Sequence, residues 1–387
     1  MDLNFIKDIV IKDVEVQSIE DVVGEGYSSN VKLKVKLHDG TITEKSYFLK
    51  SKPKVPIIRK LIEKYRLMEK EISMYEEMIP GMEKVVEEYG DTNERIWCNL
   101  LGYRHDMMIL EDLREYGYMT VDKMECLDYK HVIRSVSTLG RFHAISKVFF
   151  KKDVDEEKIS RFRNYPMYGD SVMLDMFTTG GLITMSQVMK KSWGPKWLDV
   201  ADRLYKSASH TEEYFKELFQ NRKDEMDVLN HGDLWCCNVM FQYDSQNVPV
   251  KAKFVDFQLS HFNSLAWDLT FLLYTSVRAS VRRKSLPEFL DAYFKSLSDT
   301  LDFYGYEGPR PTRKSVGEEM DRFKYMGLTV LCSSYTNTAT NENNYTMQPL
   351  LQEKGPRLCY FPHLYEIPRF KSDVQEDLLN CVREGIL

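Results

Sequence analysis

Two short polar motifs in the second half of the chain constrain its fold more than any other feature. The first reads NHGDLWCCNVMF over residues 230–241, and the second, FVDFQ, follows at residues 254–258. They place Asp233, Asn238 and Asp256 among apolar residues, where polar side chains are costly to hold unless something binds them. The fold must therefore bring these side chains to a place that a polar ligand can reach.

The spacing of these residues is that of a phosphoryl-transfer site. D-x-x-x-x-N matches the catalytic loop of kinases, in which the Asp accepts the proton of the attacking hydroxyl and the Asn binds a metal ion. Asp233 is therefore predicted to be the base. Asn238 and Asp256 offer the hard oxygen ligands that Mg²⁺ prefers, and a β-hairpin between them would bring the two together.

A turn of small residues near the N-terminus supplies a candidate phosphate loop. Gly24 and Gly26 are followed by Ser28 and Ser29, just before the first well-patterned strand. Small residues let backbone N–H groups approach phosphate oxygens closely. Only two of the three glycines of a kinase loop are present, so the turn by itself is a weak signal.

An ion pair is predicted next along the chain. Lys50 ends a strand and would supply a positive charge to the α- and β-phosphates of a nucleotide. Its expected partner is Glu71, on the helix that follows. Glu71 is preferred to Glu69 and Glu76 because its spacing from Met68 places it on the buried side of the apolar stripe.

The hydrophobic pattern divides the chain into a β-rich part and a helical part. The first part has the alternating stretch VKLKVKL at 31–37, a hairpin partner at 45–50 and one long helix over 58–79. Two further strands are predicted at 95–103 and 106–111. The pattern after residue 128 is mostly helical, and Ser285-Leu286-Pro287-Glu288 predicts a helix start there.

This organisation predicts an α+β, bilobal fold. We expect a small N-terminal nucleotide-binding lobe over residues 1–112, with a sheet and one long helix. A larger, mainly helical lobe over residues 113–387 would carry the catalytic and acceptor-binding groups. The 387 residues, 43% of them hydrophobic, suffice for two such lobes.

Composition excludes several classes of function. The net charge of -6 and the lack of a basic patch argue against nucleic acid as a partner. No apolar run is long enough to predict a membrane span, and the N-terminus lacks the apolar core of a signal peptide. Seven scattered cysteines without a C-x-x-C motif fit a reducing compartment. We therefore expect a cytoplasmic protein, and no protein partner is predicted.

Two features favour a small molecule over a protein as the phosphoryl acceptor. Gly232 stands where protein kinases carry the Arg that pairs with a phosphorylated activation loop. Asp256 is followed only twelve residues later by Asp268, which opens an apolar, helix-like run. That interval leaves little room for a segment that docks a peptide.

Several polar and aromatic residues near these motifs allow structural roles. His231 is interpreted as shaping the loop and His143 as a hydrogen-bonded core histidine, while Asp268 is expected either to cap a helix or to brace the loop. A set of aromatic residues could line an acceptor pocket or simply belong to the core. These are Tyr165, Tyr168, Phe177, Trp193 and Trp197.

Five stretches of the sequence resemble the ecdysteroid kinase-like (CHK kinase-like) family, which is related to choline kinase and the aminoglycoside phosphotransferases. They read KEISMYEEMIP, MILEDLREYGY, LGRFHA, LNHGDLWCCNVMF and KFVDFQLSHFNSLAWDLTFLLYTSV. The resemblance implies a protein-kinase-like fold, the cofactors ATP and Mg²⁺, and phosphorylation of an alcohol on a steroid, a xenobiotic or a similar lipophilic molecule, a role in detoxification included.

The resemblance also carries residue roles. It supports those given above for Lys50, Glu71, Asp233, Asn238 and Asp256. It further implies that the main chain from Glu111 to Leu113 is the adenine-binding hinge. The family's phosphate loop reads G-E-N-x-x-S, so that Gly26 replaces the Asn, and Ser29 matches the Ser that faces the phosphates.

Two other functions remain open from the sequence. Choline or ethanolamine phosphorylation would need an aromatic and acidic cage for the cationic head. A catalytically silent pseudokinase would bind ligands without turnover. It is disfavoured because no member of the Lys, Glu, Asp, Asn and Asp set is missing.

Overall fold

The structure, a computed structural model, describes most of the chain. The described residues are 15–22, 28–36, 41–53, 56–152, 156–163, 165, 170, 174, 178–340 and 360–387. They form two compact units. The first takes its residues from 1–119 and 240–259, and the second from 120–239 and 260–387.

An antiparallel five-stranded sheet is the base of the first unit. Its strands are β1 (Glu15–Val22), β2 (Ser28–Lys36), β3 (Ile42–Ser51), β4 (Leu100–Arg104) and β5 (Met107–Glu111), in the spatial order β1-β2-β3-β5-β4. The strand predicted at 31–37 coincides with β2 as far as Lys36, and residue 37 lies outside the described residues. The strand predicted at 45–50 lies within β3, which pairs with β2 over the nine residues from Ser28 to Lys36.

The strand predicted at 95–103 begins only at Leu100. The residues before it pair elsewhere: the Phe254 N–H donates to the Ile96 carbonyl at 2.7 Å, and Trp97 forms an isolated bridge with Phe254. The apolar pattern of this stretch therefore reflects burial against a second strand rather than membership of the main sheet.

The long helix of the first unit differs from its predicted limits of 58–79. α1 (Pro56–Lys64) ends before Arg66, whose φ of 51° is left-handed, and α2 (Leu67–Ser73) continues without a break through the π turn Met74–Met78 into α3 (Ile79–Glu88). Proline lacks an N–H and its ring crowds the preceding turn of an α-helix. The wider π turn ends at Met78, two residues before Pro80, and the helix continues past the proline that follows its predicted end at residue 79.

The hairpin predicted between Asn238 and Asp256 is present. β8 (Val239–Tyr243) and β9 (Pro249–Phe254) are neighbours, and β6 (Met119–Thr120) lies on the other side of β8. The connecting turn is closed by the Asp244 N–H donating to the Val248 carbonyl at 3.0 Å, with Asn247 in the left-handed region at φ 58°.

The second unit is mainly helical, which confirms the predicted α+β class. A short antiparallel ribbon of β7 (Asp227–Asn230) and β10 (His261–Ser264) sets His261 opposite Asn230. Among the described residues its helices are α4 (Tyr129–Lys152), α5 (Glu156–Ser160), α6 (Gly180–Val188), α7 (Leu198–Ser207), α8 (Thr211–Gln220), α9 (Ala266–Ser276), α10 (Ala279–Phe303), α11 (Arg313–Arg322), α12 (Lys324–Cys332) and α13 (Pro368–Arg383).

The helix start predicted at Ser285–Glu288 is wrong, because α10 begins at Ala279 and contains Pro287 in its interior. An interior proline costs about 3 kcal/mol. Burial on both sides of it, as at Arg282 and Phe289, offsets that cost because α10 packs along its length against α4. No helix among the described residues combines the length and the apolar character that a membrane crossing requires.

Candidate active site

Three charged side chains of the first unit meet in a group that we call the ionic cluster: Lys50, Glu71 and Asp256. The Lys50 ammonium nitrogen lies 2.5 Å from Glu71 Oε2 and 2.7 Å from Asp256 Oδ1. Lys50 and Glu71 are almost fully buried, with 3% and 0% of the side chain exposed, whereas Asp256 retains 28%. Glu71 and Asp256, which are 21 and 206 positions from Lys50 in the sequence, thus both lie in contact with it.

Each member of the ionic cluster is positioned by a different element. Lys50 is the penultimate residue of β3, where it lies opposite Ser28 of β2 and Met108 of β5. Glu71 lies on the buried side of α2, as its spacing from Met68 predicted. Asp256 follows β9 with a φ of 70°, a left-handed backbone that a non-glycine residue adopts only when its surroundings hold it there.

The charge balance of the ionic cluster depends on Lys50. Burial raises the pKa of Glu71, and the neighbouring Lys50 opposes that rise. The second carboxylate oxygen, Oε1, is buried and has no hydrogen-bond partner among the described residues. One ammonium group therefore faces two carboxylates, one of them fully desolvated, and the Phe257 main chain adds a hydrogen bond to Glu71.

The stretch predicted as the hinge is held by its side chains. The Glu111 carboxylate accepts hydrogen bonds from the main-chain and side-chain nitrogens of Asn99 at 3.0 and 3.1 Å. The buried Asp112 accepts from the Ser46 hydroxyl and from Arg114. The Asp112 and Leu113 carbonyls accept hydrogen bonds from the main-chain N–H groups of Glu115 and Tyr118, whereas no described residue accepts the Leu113 N–H.

The predicted phosphate loop is only partly within the described residues. Gly24 and Gly26 lie outside them. Ser28 and Ser29 form the first two positions of β2, opposite Lys50 and Leu49. The chain therefore leaves the loop next to the strand end that carries the ion-pair lysine.

In the second unit, Asp233 and Asn238 lie on one loop, residues 231–238, which we call the Asp233 loop. It leaves β7 through Gly232, whose φ of 85° favours glycine, and closes with a helical turn over Cys236–Asn238. The Asn238 side-chain nitrogen donates to the Asp233 carbonyl at 2.8 Å and to Asp233 Oδ2 at 3.3 Å. The motif spacing thus brings the predicted base and one predicted metal ligand into contact.

Asp268 braces this loop, which decides between the two roles expected for it. Its carboxylate accepts the His231 N–H at 2.6 Å, the Gly232 N–H at 2.9 Å and the His143 Nε2–H at 3.2 Å. Although burial pushes the pKa of Asp268 upward, the hydrogen bonds from His143 and from the Gly232 main-chain N–H hold it below its usual value. Asp268 is therefore an ionised carboxylate inside the unit.

The two histidines have the structural roles that the sequence indicated. His231 Nδ1 accepts the Asp233 N–H at 3.3 Å, which shapes the loop locally. His143 is fully buried, and both of its ring nitrogens are hydrogen-bonded, Nε2 to Asp268 and Nδ1 to the Tyr293 hydroxyl at 2.8 Å. Tyr293 belongs to no motif, so its position beside His143 could not be predicted from the sequence.

Aromatic rings pack beside the Asp233 loop. Tyr165 lies 5.0 Å from His261 and 5.2 Å from Trp267 between ring centres, and the Trp267 indole N–H points at the Gly232 carbonyl at 3.5 Å. Trp193 and Trp197, by contrast, pack on one another in the core. Tyr168 and Phe177 lie outside the described residues.

This fold and this set of polar residues define a kinase-like phosphotransferase that acts on hydroxyl groups of small molecules. More narrowly, the chain belongs to the ecdysteroid kinase-like family, whose model matches residues 23–306. The bilobal, protein-kinase-like fold predicted from the sequence is confirmed by this assignment. No curated protein sequence matches the chain.

Several solved structures are similar to the chain over most of its length. An amicoumacin kinase in complex with AMP-PNP and Ca²⁺ is 12% identical, with 97% of this chain and 94% of that chain covered and a TM-score of 0.48. A spectinomycin phosphotransferase in complex with ADP and spectinomycin is 11% identical, with 84% and 93% covered and a TM-score of 0.41. A protein in complex with gentamicin is 13% identical, with 87% and 98% covered and a TM-score of 0.37. The family assignment does not depend on these likenesses.

Proposed function

We propose that the protein is a cytoplasmic, ATP- and Mg²⁺-dependent kinase that phosphorylates a hydroxyl of an ecdysteroid or a similar lipophilic alcohol. One observation carries the proposal. The predicted site residues that are described lie in ordered local arrangements, with Lys50 held between Glu71 and Asp256, and Asp233 held by Asn238. A pseudokinase would be expected to lack at least one of these groups.

The first unit is proposed to bind the nucleotide. Lys50 would contact the α- and β-phosphates, and the ion pair with Glu71 keeps its ammonium group in place. The backbone of the turn holding Gly24, Gly26, Ser28 and Ser29 would surround the phosphates. Glu111 and Leu113 would offer a carbonyl and an N–H to the adenine, in keeping with the Leu113 N–H that no described residue accepts.

Asn238 and Asp256 are proposed to hold Mg²⁺. The orientation of the Asn238 amide fits this role: its nitrogen is bound to Asp233, so that its oxygen is the atom left for a cation. Asp256 is partly exposed, and Lys50 engages its Oδ1. When bound, Mg²⁺ would neutralise charge on the phosphate oxygens. One amide and one carboxylate are the protein ligands that a metal bridging to phosphates needs.

Asp233 is proposed to accept the proton of the acceptor hydroxyl as that oxygen attacks the γ-phosphorus. The bond to the leaving ADP breaks, and a phosphate ester is formed. Asn238 and the backbone of the Asp233 loop orient the carboxylate, and Asp268 fixes that backbone. Positioning of this kind supplies much of the rate in phosphoryl transfer.

The rings beside the Asp233 loop support a lipophilic acceptor. Tyr165 and Phe219 are partly exposed members of a cluster with the buried His261 and Trp267. Aromatic faces favour apolar, ring-bearing molecules over strongly hydrated ones. Tyr165 is also close enough to Asp233 for the carboxylate to raise the pKa of its hydroxyl, in addition to the larger effect of burial.

The test is turnover with a panel of acceptors: ecdysone, choline and a phenolic glycoside, each with ATP and Mg²⁺. A mass gain of one phosphoryl group on ecdysone is expected. Asp233→Asn should lower turnover by about 1,000-fold or more while Mg-ATP still binds in calorimetry. Asp299→Asn, at an exposed position, is the matched control and should change neither.

Two results would contradict the proposal. Turnover that persists in Asp233→Asn would show that Asp233 is not the base. Phosphorylation of choline alone would exclude a lipophilic acceptor and favour the choline-type function instead.

A further inference from the structure

The backbone of the Asp233 loop depends on one buried carboxylate. Asp268 takes the N–H groups of His231 and Gly232, the two residues that precede Asp233. Its own N–H lies 3.3 Å from the Asn230 side-chain oxygen, so the strand end before the loop is tied to the same residue. The direction of this carboxylate therefore sets where the loop begins.

His143 contacts Asp268 and Tyr293, and only one of its two neutral tautomers can form hydrogen bonds with both. An ionised carboxylate only accepts hydrogen bonds, so His143 must carry its proton on Nε2 to donate to Asp268. Nδ1 is then an acceptor and takes the Tyr293 O–H at 2.8 Å. All three side chains are fully buried, so water cannot replace a missing partner.

Helices α4 and α10 pack closely enough for the Tyr293 hydroxyl to reach His143. Gly140 lies one turn before His143 on α4, and a Cβ placed there would meet the Tyr293 carbonyl at 2.5 Å and the Leu297 nitrogen at 3.0 Å. Only glycine permits this approach of the two backbones. At the same helix crossing, the Ser296 hydroxyl donates a hydrogen bond to the Ser137 carbonyl at 2.6 Å.

We propose that His143 and Tyr293 are positioning residues for phosphoryl transfer. The Tyr293 hydroxyl binds His143 Nδ1 and so fixes the orientation of the ring, His143 orients Asp268, and Asp268 holds the loop that presents Asp233. Together we call Asp268, His143 and Tyr293 the loop brace. The inference rests on the proposed function only in naming Asp233 as the base. The geometry of the brace stands without it.

Loss of the Tyr293 hydroxyl leaves the buried Nδ1 of His143 without its hydrogen-bond partner. The ring is then held at Nε2 only, so it can turn about that contact and its hydrogen bond to Asp268 is weakened. Asp268 could then rotate away from the His231 and Gly232 amides. A misplacement of about 1 Å at the reacting groups can reduce a rate by about 100-fold.

The first measurement uses the protein alone. In amide hydrogen exchange, Tyr293→Phe and His143→Leu should exchange the peptide spanning 229–235 at least about tenfold faster than the wild type. Phe289→Leu is the matched control, because Phe289 is buried on the same helix and packs its ring on Tyr129, and its apolar side chain takes no part in the hydrogen bonds of the brace. It should lower the melting temperature without accelerating exchange in the loop.

The second measurement is kinetic, with ecdysone and Mg-ATP. Tyr293→Phe should lower kcat by about fivefold and His143→Leu by about 50-fold, with the KM for ATP unchanged within about twofold. His143→Gln places an amide nitrogen near the Nε2 position and should recover most of the kcat lost in His143→Leu. A role confined to stability would not produce this recovery at a temperature where all variants are folded.

The outcomes separate the two proposals. Unchanged loop exchange in both brace variants would overturn the inference, even if Asp233→Asn abolished turnover. Accelerated exchange in both variants, with turnover persisting in Asp233→Asn, would support the brace and reject the proposed base. Equal acceleration in Phe289→Leu would also overturn the inference, because the effect would then follow stability alone.

Discussion

The two polar regions of this protein are held in place by different physics. The ionic cluster consists of formal charges: one ammonium group lies between two carboxylates, and Glu71 keeps one buried oxygen without a hydrogen bond among the described residues. The loop brace has a single formal charge, on Asp268, which receives three hydrogen bonds from uncharged donors. The first region is therefore sensitive to charge, and the second to hydrogen-bond geometry.

The difference fits what each region is proposed to do. A group that receives phosphates and a metal must be able to exchange partners, and a cluster in which one lysine faces two carboxylates can release one of them to a new ligand. A base must stay where it is throughout the reaction, and a satisfied, fully buried network is rigid. We expect substitutions to separate the two regions by the size and kind of their effects.

The largest effect is expected at Lys50. Lys50→Met leaves Glu71 and Asp256 uncompensated, so we expect the free energy of unfolding to fall by about 3 kcal/mol and turnover to be lost. The double variant Lys50→Met/Glu71→Leu should regain most of the stability, because an apolar pair of similar volume can replace a buried ion pair. It should not regain turnover.

Urea denaturation and the phosphoryl-transfer assay measure the two quantities separately. If the double variant were no more stable than Lys50→Met, the stability lost in Lys50→Met would not come from uncompensated charge in the ionic cluster. The contrast with the loop brace would then disappear.

A smaller loss of stability is expected at the crossing of α4 and α10. Gly140→Ala puts a methyl group where the Tyr293 carbonyl lies 2.5 Å away, so the helices must separate, which we expect to cost about 2 kcal/mol. Gly317→Ala is the control, since its nearest contact is the Arg313 side chain at 3.6 Å. In that helix the substitution should stabilise by up to about 1 kcal/mol.

Thermal unfolding of both variants checks the prediction. Equal shifts in the same direction would mean that the glycine at 140 serves helix propensity and not the approach of Tyr293 to His143.

The pH dependence of stability should distinguish the brace further. Burial lowers the pKa of His143 below its usual 6.5, an effect that Lys147 adds to and that the hydrogen bond and charge of Asp268 oppose, while the third neighbour, Tyr293, is uncharged. The unfolded chain therefore takes up a proton below about pH 6.5 that the folded protein does not. Stability should fall there by up to about 1.4 kcal/mol per pH unit.

His143→Gln should flatten this slope between pH 6.5 and 5 in melting experiments, although it lowers stability at neutral pH. His105→Gln, at an exposed position, should leave the slope unchanged. An unaltered slope in His143→Gln would mean that other groups cause the acid sensitivity.

The smallest effect is expected for a charge pair on the surface. Lys295 and Asp299 lie one turn apart on α10, with 76% and 62% of their side chains exposed. Asp299→Ala should change the free energy of unfolding by less than about 0.5 kcal/mol, because water screens such pairs. A larger loss in urea denaturation would show that charge pairs matter here even outside the core.

Much of the candidate site could be predicted because its parts are local. Asp233 and Asn238 are five positions apart on one loop, so the motif itself nearly fixes their contact. Lys50 and Glu71 follow from a strand end and a helical stripe. The hairpin between Asn238 and Asp256 follows from a short pattern of the same kind. Where the sequence misled, as at Pro80 and Pro287, a local rule was outweighed by burial along the whole helix.

The sequence by itself determined the class of chemistry, because residue type and close spacing are local properties of the chain. Only the tertiary structure decided which distant groups support that chemistry. Tyr293 meets His143 across 150 residues, and Asp256 meets Lys50 across 206. No periodicity records such pairs, because they arise when separate elements pack to bury their apolar faces, and the polar contacts are those that this packing brings within reach.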